Sequence, residues 1–384
     1  MNNNNVLLIA GEASGDLHGS LLVKELLALD PTYRFFGIGG PLLQRQGMSI
    51  LVHNSEMAFM GFWEVIKHLN KISKVFRAIL DIVSEKQITT VILIDYPGFN
   101  LRLAKKLKKR GLQIIYYISP QLWAWGQKRV KIIRNCVDLL IVILPFEVDF
   151  YRRFGITAHF VGHPLLDQLN HTEFTASFRQ KYQIPPTAYC INLQPGSRIH
   201  EVEQLMPLYI KVMEDVKDPD IHWLIPQANT IPPEYWQLVP LGSEGNRHLI
   251  STEDYYNALA TTSAVITASG TAVLEAAIFT RPMAIVYRVN PLTYYIARQL
   301  IKVPYIGIVN LIAGKKIVPE FIQREANTTN LVEFIHTIRG QHDLYQDTCR
   351  ALIEVRKQLG EPGAAIRAAN LIFQFQQDSS HALS

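Results

Sequence analysis

The stretch "VLLIAGEASGDLHG" (6–19) decides the fold. Five apolar residues, 6–10, have the length and composition of a buried strand, and "GEASGDLHG" (11–19) follows at once. Gly11 and Gly15 permit a tight or positive-φ backbone. Glu12, Ser14, Asp16 and His18 add more chemistry than a plain turn requires. A strand that turns directly into a helix leaves free N–H groups and the positive dipole end at the helix N-terminus, which suits an anion. The segment is not a phosphate loop of the GK[ST] type or a G-x-G-x-x-G dinucleotide fingerprint, and Ser14 lacks the G-x-S-x-G setting of a hydrolase. Ser14 or Asp16 capping the helix is the plain structural alternative.

Outward from that turn, short apolar runs alternate with helical patterns, as in βαβ units with parallel sheets. The strands expected in the first half are 6–10, 34–38, 90–95, 113–118, 139–143 and 158–162. A polar stretch over 168–187 reads as a linker. The pattern restarts at 189–194, 221–226, 247–251, 264–269 and 283–289, and from about Thr328 the chain reads as helices. The predicted fold class is α/β with two Rossmann-like domains, their parallel sheets facing across a cleft. The expected boundaries are 1–168, 188–360 and a C-terminal helix, 361–384, that returns to the first domain or swaps into a partner.

The chain has 384 residues, of which 48% are hydrophobic and 18% charged, with a formal net charge of +5. The charged share is below the roughly 25% usual for soluble domains. A mild positive bias suits anionic small molecules or an anionic membrane surface and is too diffuse for nucleic acid. Cys136, Cys190 and Cys349 are far apart, as expected of free thiols in a reducing compartment. The N-terminal residues do not read as a signal peptide, and the run "LLIVILPF" (139–146) is too short to span a bilayer. "DPD" (218–220) reads as a turn, and "HFVGH" (159–163) lacks a glutamate and reads as a strand. No metal site is expected from either.

Four further stretches carry chemistry. In "LIDYPGFN" (93–100) Asp95 ends a strand, where it can act as a general base or simply cap a helix. In "LQPGSR" (193–198) Gly196 and Ser197 open a loop and Arg198 can fork onto a phosphate. "TASGTAVLEAA" (267–277) places Ser269, Gly270 and Thr271 between a strand and a helix, a pyrophosphate setting, with Glu275 one turn later within reach of ribose hydroxyls. The segment 59–80 sets Phe59, Met60, Phe62, Trp63, Ile66 and Leu69 beside Lys67, Lys71, Lys74 and Arg77. It suits an interfacial helix on anionic lipid, and a core-packed amphipathic helix is the ordinary alternative.

Together these residues resemble lipid-A-disaccharide synthase, an inverting glycosyltransferase family of GT-B fold, over nearly the whole chain. The resemblance rests on "GEASGDLHG", "MGFWEV" (60–65), "IDYPGFN" (94–100), "SPQLWAWGQKRV" (119–130), "LPFE" (144–147), "FVGHPL" (160–165), "QPGSR" (194–198), "SGTAVLE" (269–275) and "NLIAG" (310–314). It implies transfer from UDP-2,3-diacylglucosamine to 2,3-diacylglucosamine 1-phosphate, forming a β(1→6) disaccharide and UDP. It also implies work at the cytoplasmic face of the inner membrane, with no cofactor or catalytic metal. On that resemblance Asp95 is the base, while Arg198, Ser197, the Ser269–Thr271 turn, Glu275 and Asn310 hold UDP. Glu12, Ser14, Asp16 and their neighbours line the cleft, 59–80 docks on an anionic membrane, and a homodimer is possible. The family's aspartate loop often reads D-A-P-D-F-N, where this chain has Tyr96 and Gly98, and Val309 replaces a proline ahead of N-L-I-A-G. The competing readings are a UDP-sugar 2-epimerase of the same fold and a lipid- or nucleotide-binding module without catalysis.

Overall fold

The computed structural model describes residues 4–57, 69–170, 177–237, 239–240, 245–301 and 303–381. They form two compact units, Met1–Gln168 with Leu359–Ser384, and Leu169–Gln358.

The first unit holds a parallel seven-stranded sheet in the order β3-β2-β1-β4-β5-β6-β7. Its strands are β1 (Asn5–Ala10), β2 (Arg34–Gly39), β3 (Ser49–His53), β4 (Thr90–Ile94), β5 (Gln113–Tyr117), β6 (Leu139–Val142) and β7 (Ala158–Phe160). The central strands β1, β4 and β5 are apolar on both faces, because helices cover both sides of a parallel sheet. Those helices include α1 (Ala13–Leu29), α2 (Pro41–Arg45), α3 (Leu69–Glu85), α4 (Pro97–Lys108), α5 (Val130–Cys136) and α6 (Pro145–Arg152). In α3, Val75, Phe76, Ile79 and Val83 are buried in the core while Lys74 and Arg77 are exposed. This part of 59–80 is therefore a core-packed amphipathic helix. Phe59, Met60, Phe62, Trp63, Ile66 and the side chain of Leu69 lie outside the described residues.

The second unit holds a parallel six-stranded sheet in the order β10-β9-β8-β11-β12-β13. Its strands are β8 (Tyr189–Gln194), β9 (Ile221–Pro226), β10 (Arg247–Ile250), β11 (Ala264–Ala268), β12 (Met283–Tyr287) and β13 (Glu320–Ile322). Its helices include α7 (Ile199–Asp215), α8 (Tyr255–Thr261), α9 (Thr271–Ile278), α10 (Ile308–Ala313), α11 (Thr328–Gly340) and α12 (His342–Gln358). The chain then rejoins the first unit as α13 (Ala364–His381). There Ala364, Ala368, Ala369 and Ile372 pack in one core cluster with Leu22, Val23 and Leu26 of α1. Removing one such buried side chain as large as Ile372 costs about 2–5 kcal/mol.

Each sheet has one point where the strand order reverses. In the first unit the chain winds outward from β1 to β3, then starts again at β4 on β1's other side. In the second it does the same between β8 and β11. Loops that leave two such neighbouring strands diverge, and the crevice they leave at the carboxyl ends is where ligands bind in open α/β sheets. Residues 11–19 and 95–100 follow β1 and β4, and residues 195–198 and 269–271 follow β8 and β11.

Candidate active site

At the reversal point of the second unit lies a pocket of about 390 Å³. It is lined by residues that follow β8 and β11, among them Ser197, Arg198, Ser269, Gly270, Thr271 and Glu275. Gly196 adopts φ 108°, and a β-carbon there would meet Glu201 Oε2 at 2.3 Å, so no other residue fits this turn. Glu201 in α7 accepts the Ser197 N–H at 3.0 Å and the Arg198 N–H at 3.2 Å, and Arg198 Nη1 donates to its other oxygen at 3.2 Å. The Arg198 side chain is otherwise largely exposed, so the loop holds a guanidinium at the pocket wall with donor capacity to spare. On the opposite wall Gly270 is the N-cap of α9, whose first N–H groups have no partner within the helix.

Glu275 is fixed by two hydroxyls. Tyr255 Oη donates to it at 2.6 Å and Tyr256 Oη at 3.0 Å, and burial raises its pKa against those two hydrogen bonds. Gln194 Nε2 donates to Tyr255 Oη at 3.3 Å, and Thr252 also reaches the lining. Sequence reading missed Gln194, Thr252, Tyr255 and Tyr256. Tyrosines at the start of an apolar helix look like core residues, and only the fold shows that they reach a carboxylate.

Asn310 is not brought to this lining. It is fully buried, and its amide donates to Val318 O at 3.0 Å and Glu320 Oε1 at 2.8 Å while accepting from the Ile317 and Val318 N–H groups. Two donors and two lone pairs are the whole capacity of an amide side chain, so none is left for a nucleotide. The expectation that Asn310 touches UDP is corrected: it pins α10 to the strand β13.

At the reversal point of the first unit, Asp95 (φ 41°) and Tyr96 (φ 47°) are consecutive left-handed residues. Neither is glycine, and each such conformation costs about 1–2 kcal/mol. The surroundings hold them there. Asp95 N–H donates to Tyr117 O at 3.2 Å, Asp95 O accepts from Asn100 Nδ2 at 2.7 Å and Tyr116 Oη at 2.6 Å, and Tyr96 Oη donates to Met57 O at 3.0 Å. Strain of this kind concentrates at functional sites. Burial, and then the nearby charge of Glu12, raise the Asp95 pKa to about 6. Glu12 is exposed and is the N-cap of α1 without a side-chain cap bond, and Ser14 is exposed beside it.

Two other residues of 11–19 face inward. Asp16 is buried, and its carboxylate accepts the N–H groups of Gly40, Leu42 and Leu43 at 2.7, 3.0 and 3.1 Å. Its expected place on the binding wall is corrected, since it caps α2 rather than α1 or a ligand. His18 carries a buried Nδ1 with no partner among the described residues, and burial lowers its pKa to about 4 against the pull of Asp167. Asp218 and Asp220 pair with Arg339, and His163 Nδ1 accepts the Leu165 N–H at 3.2 Å. Among the described residues no group of three or more His, Cys, Asp or Glu side chains has the arrangement of a metal site.

The family model described as lipid-A-disaccharide synthetase matches residues 6–367. The chain belongs to the lipid-A-disaccharide synthase family. A lipid-A-disaccharide synthase of Geobacter sulfurreducens is 38% identical over 372 residues, 96% of each chain. One of Syntrophus aciditrophicus is 40% identical over 374 residues, 96% of this chain and 97% of the other. Membership makes the chain an enzyme, a glycosyltransferase of lipid A synthesis, and sets aside the epimerase and the non-catalytic module. Solved structures confirm the GT-B fold and nothing finer. A putative UDP-N-acetylglucosamine 2-epimerase of Listeria monocytogenes superposes with TM-score 0.68 at 13% identity over 97% of each chain. A calicheamicin glycosyltransferase superposes with TM-score 0.65 at 14% identity over 99% and 100% of the two chains.

The departures from the synthase pattern have structural settings. Tyr96 lays its ring against Gly11. Gly98 has open space around it and makes no demand that excludes other residues. Val309 is buried in the first turn of α10. Among the described residues no helix is long and apolar enough to cross a membrane.

Proposed function

We propose that the protein transfers the sugar of UDP-2,3-diacylglucosamine to the 6-hydroxyl of 2,3-diacylglucosamine 1-phosphate, forming the β(1→6) disaccharide 1-phosphate and UDP. The observation that carries this reading is the pocket at the β8–β11 reversal, where Arg198, the Ser269–Thr271 turn and Glu275 share one lining. A guanidinium and a helix N-terminus are matched to a diphosphate whose negative charge grows as it leaves. Glu275 faces the ribose hydroxyls of the same nucleotide.

Asp95 is the base. A lone pair of the acceptor oxygen attacks the anomeric carbon, the carbon–oxygen bond to the diphosphate breaks, and the hydroxyl proton passes to Asp95. One direct displacement inverts the anomeric centre. A carboxylate with a pKa of about 6 is mostly ionised at neutral pH and is a stronger base than an ordinary aspartate. Glu12 and Ser14 line the acceptor side.

Both substrates are lipids, and each buried CH₂ adds about 0.8 kcal/mol to membrane retention, so the enzyme works at a membrane surface. Within 59–80 the docking element is assigned to 59–69, because Val75, Phe76 and Ile79 of the remainder are buried in the core. Activity is tested in mixed micelles by UDP release and mass spectrometry of the product. Docking is tested by sedimentation with anionic vesicles of wild type against Phe62→Ser/Trp63→Ser. A wild type that forms no disaccharide from these substrates refutes the reaction, and vesicle binding unchanged in the double variant refutes the docking element.

A further inference from the structure

The loop between β5 and α5 carries chemistry that the reaction above does not use. It leaves the same carboxyl end of the sheet as Asp95: Ile94 and Tyr117 are register partners at the ends of the neighbouring strands β4 and β5. The base of the loop is clamped. Leu122 and Trp123 are buried, Trp123 Nε1 and Ser119 Oγ donate to Glu147 at 3.2 and 2.8 Å, and the ring of Phe146 meets Trp123 edge-on at 5.0 Å. Tyr151 Oη donates to Pro120 O at 3.3 Å.

On this rigid base Trp125 is 47% exposed, the opposite of the buried Trp123 two residues earlier. The Arg129 guanidinium lies over the Trp125 ring, 5.0 Å from its centroid. The turn is closed by the Arg129 N–H donating to Gly126 O at 2.8 Å. Arg129 forms no ion pair with a carboxylate among the described residues, whereas Arg152, Arg198, Arg339 and Arg350 each do. A guanidinium stacked on a ring is oriented, yet keeps its N–H edges for a planar or tetrahedral anion. Lys128, which is exposed, adds a second cation at the same turn beside the half-buried Arg129.

Resting on the reading that Asp95 takes the acceptor's proton, we propose that Trp125 and Arg129 form the subsite for the acceptor's sugar 1-phosphate. Arg129 forks onto the phosphate and Trp125 gives the sugar an apolar face. The carbon that bears the phosphate and the carbon that carries the 6-hydroxymethyl group flank the same ring oxygen, so a phosphate clamp on the loop beside Asp95 orients the ring and fixes which hydroxyl reaches the base. The pair thereby selects acceptors that carry a 1-phosphate and contributes nothing to the donor.

The test is calorimetric titration of detergent-solubilised 2,3-diacylglucosamine 1-phosphate, and of the same lipid without its phosphate, into wild type, Trp125→Ala, Arg129→Gln and Arg129→Lys. Wild type is expected to prefer the phosphorylated lipid. Arg129→Gln loses about tenfold in affinity for it, as for one charge-assisted contact, and none for the other lipid. Arg129→Lys keeps part of the preference, Trp125→Ala weakens both lipids, and UDP affinity stays constant throughout. In turnover the acceptor KM rises in Arg129→Gln while the donor KM does not. Unchanged affinities and acceptor KM in Arg129→Gln overturn the subsite and leave the reaction standing. Phosphate-selective binding by a wild type that forms no disaccharide overturns the reaction and supports the subsite. A wild type that does not distinguish the two lipids overturns the subsite.

Discussion

A β-carbon built on Gly11 would lie 2.4 Å from Cδ1 of Tyr96, inside the ring's own volume. The turn after β1 and the left-handed turn after β4 are thus fitted to each other through an absent side chain. Gly11→Ala is expected to cost about 1–3 kcal/mol, as for overpacking. Tyr96→Ala, which restores the residue common in the family's aspartate loop, should remove most of that penalty. Urea denaturation of the two single variants and the double variant measures the coupling, and additive penalties would mean that the ring simply moves aside.

Asp95→Asn keeps the shape and removes the base. Turnover should fall about 10²–10⁴-fold, with UDP affinity retained. The same variant should be more stable than wild type above pH 6. The folded-state pKa of Asp95 lies above its ordinary value, so its carboxyl favours the folded state at low pH, and that contribution is lost between about 4 and 6 as pH rises. The gain at pH 7 is on the order of 3 kcal/mol, seen by thermal melting.

The pH profile follows from the same group. The base must be ionised, so kcat/KM should rise with pH through about 6 and level off above it. Glu12→Gln removes the neighbouring charge, lowers the Asp95 pKa and moves the acid limb to lower pH. A limb that stays in place would assign the shift to burial alone.

Arg198→Ala and Asn310→Ala should separate binding from folding. The arginine is exposed at the pocket wall, so its loss should raise the Kd for UDP by about 10–100-fold with the melting temperature unchanged. Removing the Asn310 amide strands the Ile317 and Val318 N–H groups and should cost about 3 kcal/mol or more, with UDP affinity intact in the protein that remains folded.

Glu147→Gln tests how the 119–129 loop is held. Ser119 and Trp123 donate to one carboxylate oxygen, and the Ile143 and Leu144 N–H groups donate to the other at 3.3 and 3.0 Å. An amide turns an NH₂ toward one of these donor pairs and should cost about 2–3 kcal/mol by chemical denaturation. Burial raises the Glu147 pKa to about 7 despite the four donors. Its contribution to wild-type stability is therefore full below about 4.5 and is lost as pH rises through about 7.

Strands with strong apolar patterns were legible in the sequence. Residues 189–194 and 221–226 are strands over those spans, and residues 6–10 lie within β1. The edge strands β3 and β13 were not read from the sequence. The pocket residues Arg198, Ser269, Thr271 and Glu275 were legible because glycines and hydroxyls after a strand mark a loop at a sheet's end. The roles of Asp16 and Asn310 were not, since a motif fixes where a residue lies along the chain and not which way it faces. The closeness of Glu12 and Asp95 depends on β1 and β4 being neighbours, 80 residues apart in sequence, and Trp125 differs from Trp123 only once one ring is buried.

The return of α13 to the first unit sets the order in which the protein can be completed during synthesis. Residues 169–358 are contiguous and are all synthesised before Leu359 is added. The first unit begins earlier and finishes later. Until Ala364–Ile372 emerge, Leu22, Val23 and Leu26 lack part of their cover. A chain released after 358 would keep the whole second unit and leave an apolar gap in the first, and exposed apolar surface of that kind marks a truncated product for chaperones and proteases.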